Sequence, residues 1–342
     1  MPKHEPTARA AIVGIEGPSL RKEERALFRA YPPAGVILFR RNVDNPRQLR
    51  LLNAELRAVL GAGAVLMVDQ EGGRVARLRP PYWRSHPAPA VLGALFEQDR
   101  RAGLRAAWLT GALIGCDCVA AGFDVACAPV LDLRYPGAHA VIGDRAFGGT
   151  PLAVARLGRA YAAGLLAAGI QPVAKHAPGH GRAEVDSHLA LPRVEATDRD
   201  ADLLPFALNT DIPWVMTAHI LYRGWDSDRP ATLSPVVVAQ VIRGRIGFRG
   251  VLVTDDLAMH ALSGAPHTRA RDALAAGCEL ALYGAGTFEP TAALLRACPA
   301  LSHDTRIRLA AARHLAGRRR LALEPDKLAA ERAALLADKV TE

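Results

Sequence analysis

Ionisable side chains directly follow short apolar runs at four points of this 342-residue sequence. The four sets are Asp69 to Glu71, Lys175 with His176, His219, and Asp255 with Asp256. A carboxylate can attack an anomeric carbon, and a histidine can transfer a proton near neutral pH. A single charged residue after an apolar run could be the solvated end of a strand, whereas four such sets favour one shared site.

The segment from Lys175 to His188 is the most informative part of the sequence. Asp186 lies two residues before His188, so a turn could let its carboxylate accept the ring N–H of His188 and stabilise the imidazolium. This spacing predicts that His188 transfers protons. The alternative is that both side chains bond only to the backbone of a loop.

The histidines of this segment could instead bind a metal ion. The four-residue spacing of His176 and His180 is typical of a metal-binding pair on one helix face, and Asp186 and His188 could complete the ligand set. The Pro-Gly pair between the two histidines would break such a helix, and the adjacent lysine would repel a divalent ion. We therefore expect no metal ion.

The elements that must position these residues alternate between apolar runs and amphipathic segments, which indicates an α/β protein with a parallel sheet. Eight strands fit a closed (β/α)8 TIM barrel, whereas a doubly wound sheet would normally show a glycine-rich phosphate loop after its first strand. The eight predicted strands are residues 10–15, 35–39, 65–68, 125–129, 172–175, 214–218, 251–254 and 280–283.

Helices are predicted between the strands, over residues 46–60, 153–168 and 235–246. Asn45 and Ser234 are expected as N-caps of the first and third. We expect one catalytic domain spanning residues 1–342, with the barrel over about 8–285 and a helical C-terminal extension over about 286–342.

Composition narrows the class of protein further. The formal net charge is +9, but the arginines are dispersed, and the densest run, Arg318 to Arg320, is expected to end a helix. This distribution predicts no nucleic-acid partner. Five cysteines in a chain of this length indicate reduced thiols, and no secretion signal or membrane span is apparent, so we expect a cytoplasmic protein without membrane insertion.

In its sequence motifs the chain resembles the family-three glycoside hydrolases, specifically the bacterial β-N-acetylglucosaminidases of cell-wall recycling. Five motifs in the order of the family carry the resemblance. They are Gly35 to Phe39, Asp69 to Val75, Gly143 to Phe147, Lys175 to His188, and Thr254 to Met259.

The resemblance implies a role for each matching residue. Asp255 matches the nucleophile, which forms a covalent glycosyl-enzyme, and His188 matches the general acid/base, with Asp186 as its partner. Asp69 matches the residue that grips sugar hydroxyl groups. Further substrate contacts match Arg77, Arg145, Lys175 and His176, and Met259 is expected to form an apolar wall.

The resemblance also implies a cofactor-free, cytosolic monomer that removes terminal GlcNAc from cell-wall saccharides and 1,6-anhydro-muropeptides. Ala177 departs from the family pattern, which commonly has an aromatic residue there. Three alternatives stay open: another family-three β-glycosidase or an N-acetylglucosaminide phosphorylase, a metal-dependent barrel hydrolase, and a catalytically silent sugar-binding barrel.

Overall fold

Eight parallel strands form a nearly closed barrel in the computed structural model, which describes residues 7–187, 189–195 and 200–337. The first seven strands pair in chain order, and the eighth pairs with the first. The strands are β1 (Arg9–Val13), β2 (Pro33–Leu38), β3 (Val65–Val68), β4 (Val125–Ala126), β5 (Gln171–Ala177), β6 (Trp214–Thr217), β7 (Val251–Val253) and β8 (Ala281–Tyr283).

The barrel closes between β7 and β8. Val253 and Leu280 form a parallel bridge there, and the N–H of Thr254 donates to the carbonyl of Leu280 at 3.1 Å. All eight predicted strands are confirmed in position, and so is the (β/α)8 fold class. The strand predicted to reach Pro129 ends at Ala126.

Apolar side chains fill both faces of the sheet, as the continuous apolar runs require. Along β3, for example, Val65 and Met67 point into the barrel, whereas Leu66 and Val68 pack beneath the helices. The barrel interior is therefore a packed core and not a channel. Its other strand residues include Ile12, Ile37, Val125, Val173, Trp214, Met216, Val251, Val253 and Leu282.

Ten α-helices cover the barrel or extend it within the described residues. They are α1 (Lys22–Ala30), α2 (Pro46–Leu60), α3 (Pro89–Gln98), α4 (Arg100–Ala121), α5 (Pro151–Ala168), α6 (Asp200–Ala207), α7 (Pro266–Ala276), α8 (Phe288–Ala297), α9 (His303–Arg319) and α10 (Pro325–Ala337). The Asn45 side chain accepts from the Gln48 N–H at 3.0 Å, which confirms the predicted N-cap of α2.

The helix predicted over residues 235–246 is mostly a π-helix, Val237–Arg245. Its predicted cap is nevertheless present, since the Ser234 hydroxyl accepts from the Val237 N–H at 3.0 Å. An apolar pattern over two turns cannot distinguish hydrogen bonds to the fourth residue from those to the fifth.

α4 is long and apolar enough to cross a membrane by length and composition alone. In this structure 67% of the most apolar stretch of α4 is buried within the protein. It packs against α3, α5 and α10, and its Arg105 pairs with Glu331 of α10 at 2.6 Å. These contacts are typical of a core helix, and they attach the C-terminal extension to the barrel.

α4 and α5 approach so closely that their backbones touch. A Cβ atom added at Gly111 of α4 would lie 2.1 Å from the carbonyl oxygen of Tyr161, and one added at Gly164 of α5 would lie 2.1 Å from that of Trp108. Both contacts are far below a van der Waals separation, so only glycine fits at these positions. The approach also fixes Tyr161, whose hydroxyl donates to the backbone carbonyl of Glu71.

We expect Gly164→Ala to destabilise the protein, because the added methyl group must push two helix backbones apart. Overpacking of this kind costs about 1–3 kcal/mol. Gly317→Ala is the matched control, because Gly317 lies in α9 with nothing within 4 Å of its added Cβ, and alanine favours a helix over glycine by about 1 kcal/mol. Thermal unfolding should give a lower Tm for the first variant and an unchanged or higher Tm for the second; equal Tm values would contradict the close contact.

Candidate active site

A cavity of about 520 Å³ opens at the carboxyl ends of the barrel strands. Active sites of this fold lie at that end. Eight of the nine residues predicted for the site line this cavity: Asp69, Arg77, Arg145, Lys175, His176, Asp186, Asp255 and Met259. The ninth, His188, lies outside the described residues. The structure thus brings together residues that are up to 190 positions apart.

Asp69, directly after β3, is held between two cations. Its carboxylate accepts from the Lys175 ammonium at 3.2 Å and from the Arg77 guanidinium at 3.0 Å. Burial acts to raise the pKa of Asp69, but the two positive charges outweigh burial and hold the pKa well below its usual range. Asp69 is therefore an acceptor for hydroxyl groups at any physiological pH.

Glu71 forms the centre of a cluster with Arg145 and Lys175. Its sequence position placed it at the shared site, but no role was predicted for it. It is 1% exposed and accepts two hydrogen bonds from Arg145, both 2.8 Å long, in the bidentate arrangement that strengthens such pairs. Lys175 lies 2.5 Å from the same carboxylate. Burial acts against the charged form, but Arg145 and Lys175 prevail and lower the pKa of Glu71 to about 2.

The backbone of Glu71 is fixed as well as its side chain. The Tyr161 hydroxyl, from α5, donates to the Glu71 carbonyl at 3.0 Å. On the opposite side, Arg74 binds Asp144 at 2.7 Å and the carbonyl of Val141 at 2.8 Å, in the loop that carries Arg145. Both partners of the Glu71–Arg145 pair are therefore held in place from behind.

His176 is oriented by Asp132, a second residue that sequence reasoning missed. Asp132 is fully buried, and its carboxylate lies 2.6 Å from Nδ1 of His176. On the other side of the ring, Nε2 lies 3.4 Å from a nitrogen of Arg145, which can only donate. The neutral tautomer compatible with both contacts carries its proton on Nδ1.

Asp255 follows β7 and is partly exposed at the cavity wall. Its Oδ1 accepts from the backbone N–H of Asp256 at 2.8 Å. Burial raises the pKa of Asp255, but His176, His219 and that N–H outweigh it, so the pKa lies below the usual value. Asp255 is therefore a carboxylate near neutral pH.

Asp256, the next residue along the chain, also lines the cavity. Its Oδ1 accepts from the N–H groups of Ala258 and Gly284, at 2.9 and 2.8 Å, which makes it a brace between the ends of β7 and β8. Burial raises the pKa of Asp256 to about 6. The two neighbouring carboxyl groups thus differ in pKa because of their surroundings.

His219 does not line the cavity as the sequence suggested; it supports the site from behind. It is fully buried, with Nδ1 2.8 Å from the Thr232 hydroxyl and Nε2 3.1 Å from the carbonyl oxygen of Asp256. A carbonyl only accepts, so Nε2 carries the proton. Burial lowers the pKa of His219, which agrees with a neutral ring that anchors the backbone beside Asp255.

The segment after β5 completes the wall of the cavity. Asp186 lines it, and the Asp186 carbonyl accepts from the N–H groups of Leu189 and Ala190 at 2.9 and 3.0 Å. His180 is 2% exposed, and burial lowers its pKa to about 4.

No group of three or more His, Cys, Asp or Glu side chains within the described ranges is placed to hold a metal ion.

Comparisons with known proteins identify the family of this chain. The model of the glycosyl hydrolase family 3 N-terminal domain matches residues 9–315. A beta-hexosaminidase from Alkalilimnicola ehrlichii is 42% identical over 278 residues, which is 79% of each chain.

Solved structures give the same answer. NagZ from Neisseria gonorrhoeae, in complex with N-trifluoroacetyl-D-glucosamine, superposes with a TM-score of 0.84 at 32% identity, covering 97% of this chain and 98% of that one. A glycoside hydrolase family 3 β-N-acetylglucosaminidase from Paenibacillus sp. str. FPU-7 gives a TM-score of 0.82 at 30% identity over 95% of this chain and 66% of that one. These matches confirm the predicted enzyme class, a β-N-acetylhexosaminidase, and the chain belongs to glycosyl hydrolase family 3.

Proposed function

We propose that this enzyme is a retaining, exo-acting β-N-acetylglucosaminidase in which Asp255 is the nucleophile and His188, assisted by Asp186, is the general acid/base. The observation that carries the proposal is the anionic Asp255 on the wall of the cavity that also holds the buried cluster around Glu71. Asp186, the proposed partner of His188, lines the same cavity, which supports this assignment.

In the first step an oxygen of Asp255 forms a bond to the anomeric carbon while the glycosidic bond breaks. The electron pair of that bond stays on the leaving oxygen, which takes a proton from the His188 imidazolium. In the second step the neutral His188 removes a proton from water as the water oxygen attacks the same carbon. The Asp255 carboxylate leaves, the sugar keeps its β configuration, and both residues return to their first state.

The other cavity residues bind the sugar in this proposal. Asp69 accepts hydrogen bonds from sugar hydroxyl groups, and Lys175, Arg77 and Arg145 donate to sugar oxygens. Nε2 of His176 accepts at the edge of the sugar ring, and Met259 supplies an apolar wall suited to the acetamido methyl group. Support comes from the placement of all these side chains around one cavity large enough for a monosaccharide.

We further propose that the chain works as a single catalytic unit, a cytoplasmic monomer, on GlcNAc-terminated cell-wall saccharides and 1,6-anhydro-muropeptides. NagZ from Neisseria gonorrhoeae, the structural neighbour that binds N-trifluoroacetyl-D-glucosamine, supports the sugar. The reaction as written needs no metal ion or cofactor, because Asp255 and His188 supply the nucleophile and the proton.

The substrate is tested by comparing hydrolysis of an aryl β-N-acetylglucosaminide with that of the matching β-glucoside, with EDTA and with added phosphate. We expect preference for the acetamido sugar, with a rate that neither EDTA nor phosphate changes. Preference for the glucoside would overturn the specificity. Loss of activity in EDTA would favour the metal-dependent hydrolase, and a phosphate requirement would favour the phosphorylase.

Asp255→Ala should abolish turnover while leaving substrate affinity largely intact, because it removes only the attacking carboxylate. The checks are turnover with an aryl β-N-acetylglucosaminide and affinity by calorimetry. Asp256→Asn is the matched control, since its amide oxygen can still accept from Gly284 and Ala258. This variant should keep measurable turnover; if it lost activity while Asp255→Ala kept it, the nucleophile would be reassigned.

His188→Ala should slow substrates with poor leaving groups far more than those with good ones, because a good leaving group departs without full protonation. General acid catalysis contributes roughly 10²- to 10⁴-fold, so methyl β-N-acetylglucosaminide should lose about that factor. The dinitrophenyl glycoside should lose much less in the bond-breaking step, measured as kcat/KM. An equal loss on both substrates would remove His188 from the role of acid.

A further inference from the structure

Ser187 occupies the position between Asp186 and His188, and the structure fixes it on two sides. Its side chain is buried, and its hydroxyl oxygen lies 3.0 Å from Nε2 of His180. Its carbonyl oxygen accepts from the N–H of Ala261 at 3.2 Å. The first contact joins the segment to the end of β5, and the second joins it to the segment that follows Asp255. We refer to these two contacts together as the Ser187 clasp.

The partner of the clasp on the β5 side is itself firmly held. The N–H of His180 donates to Asp132 at 2.6 Å, and its ring lies edge-on to His176 with centroids 5.7 Å apart. Asp132 also orients His176, so one buried carboxylate anchors both a cavity residue and the clasp.

The only side-chain hydrogen bond of the His180 ring among the described residues is the one to Ser187. Its Nδ1 is buried and has no partner there. Leaving a buried ring nitrogen unsatisfied costs free energy, and such atoms are uncommon in folded proteins. Because a neutral imidazole carries a single N–H, His180 offers the clasp one directed bond, as donor or as acceptor.

We infer that Ser187 and His180 are positioning residues that hold the acid/base segment over the cavity, so that the clasp sets where His188 stands relative to Asp255. The inference rests on the proposed role of His188. Ser187 shares a peptide bond with His188, so a displacement of the serine is passed directly to the acid. The clasp also connects the segment after β5 to the segment after Asp255. A proton donor carried by the first segment must reach the substrate bound beside Asp255.

Ser187→Ala removes the hydroxyl and keeps the backbone contact with Ala261. We expect kcat/KM to fall about tenfold with methyl β-N-acetylglucosaminide, a fraction of the full contribution of a general acid, and to change little with the dinitrophenyl glycoside. Ser187→Thr, which restores a hydroxyl, should recover the ratio between the two substrates. An unchanged ratio in the alanine variant, or a threonine variant as defective as alanine, would overturn the clasp.

Ser263→Ala is the matched control. Ser263 is an exposed serine on the segment after Asp255, outside the cavity wall. Its variant should behave as the unmodified enzyme on both substrates. An equal shift of the ratio in Ser263→Ala would mean that the ratio reports any serine loss at the rim, and would count against the clasp.

Amide hydrogen exchange separates the clasp from the role of His188. The N–H groups of Leu189 and Ala190 are bonded to the Asp186 carbonyl, so their exchange reports the order of this turn. Ser187→Ala should speed their exchange; unchanged exchange would refute the clasp whatever His188 does. Faster exchange together with a His188→Ala variant that shows no leaving-group dependence would instead refute the acid assignment, and with it the catalytic purpose inferred for the clasp.

Discussion

Charge balance in a buried site is the constraint on which the rest of this structure depends. Lys175 is 2% exposed and Arg145 is 9% exposed, so carboxylates rather than water must neutralise them. Removing one partner from a buried ion pair leaves an uncompensated charge and costs about 3–5 kcal/mol. The fold must therefore bring Asp69 and Glu71 to the two cations, and a closed barrel does so because all its strands end at one rim.

The same balance decides which groups can exchange protons. The cations that hold Asp69 and Glu71 keep the pKa of each carboxyl low, and Asp255 is likewise anionic, so none of the three can donate a proton near neutral pH. Asp256 has a raised pKa, but its Oδ1 is occupied by two backbone N–H groups. A site organised in this way favours a nucleophile on the barrel and an acid supplied by the segment after β5. A histidine suits the role of acid here, because Asp69, Glu71 and Asp255 all stay ionised near neutral pH.

The barrel and most of the site were predictable because their signals are local. A buried parallel strand is an apolar run, and the residue that follows it lies at the rim, so Asp69, Lys175 and Asp255 could be assigned to one site without any knowledge of their contacts. The pairings could not be assigned. Arg145 binds Glu71 across 74 positions of sequence, and nothing in either motif specifies the other as its partner. The π-helix after Ser234 could not be distinguished from an α-helix in the sequence, because the spacing of apolar residues in the two helix types is too similar.

Asp132 shows how a supporting residue can be found from sequence after all. It lies between Leu131 and Leu133 in an apolar run, and an acidic residue within such a run is almost never buried unless it is paired. That argument identifies a buried carboxylate in need of partners, and only the fold supplies them: the ring of His176 and the backbone of His180. The residues that perform chemistry are thus placed by the strands that precede them. The residues that orient them make contacts between separate segments of the chain. The sequence around Ser187 therefore does not reveal its contacts with His180 and Ala261, which only the folded barrel creates.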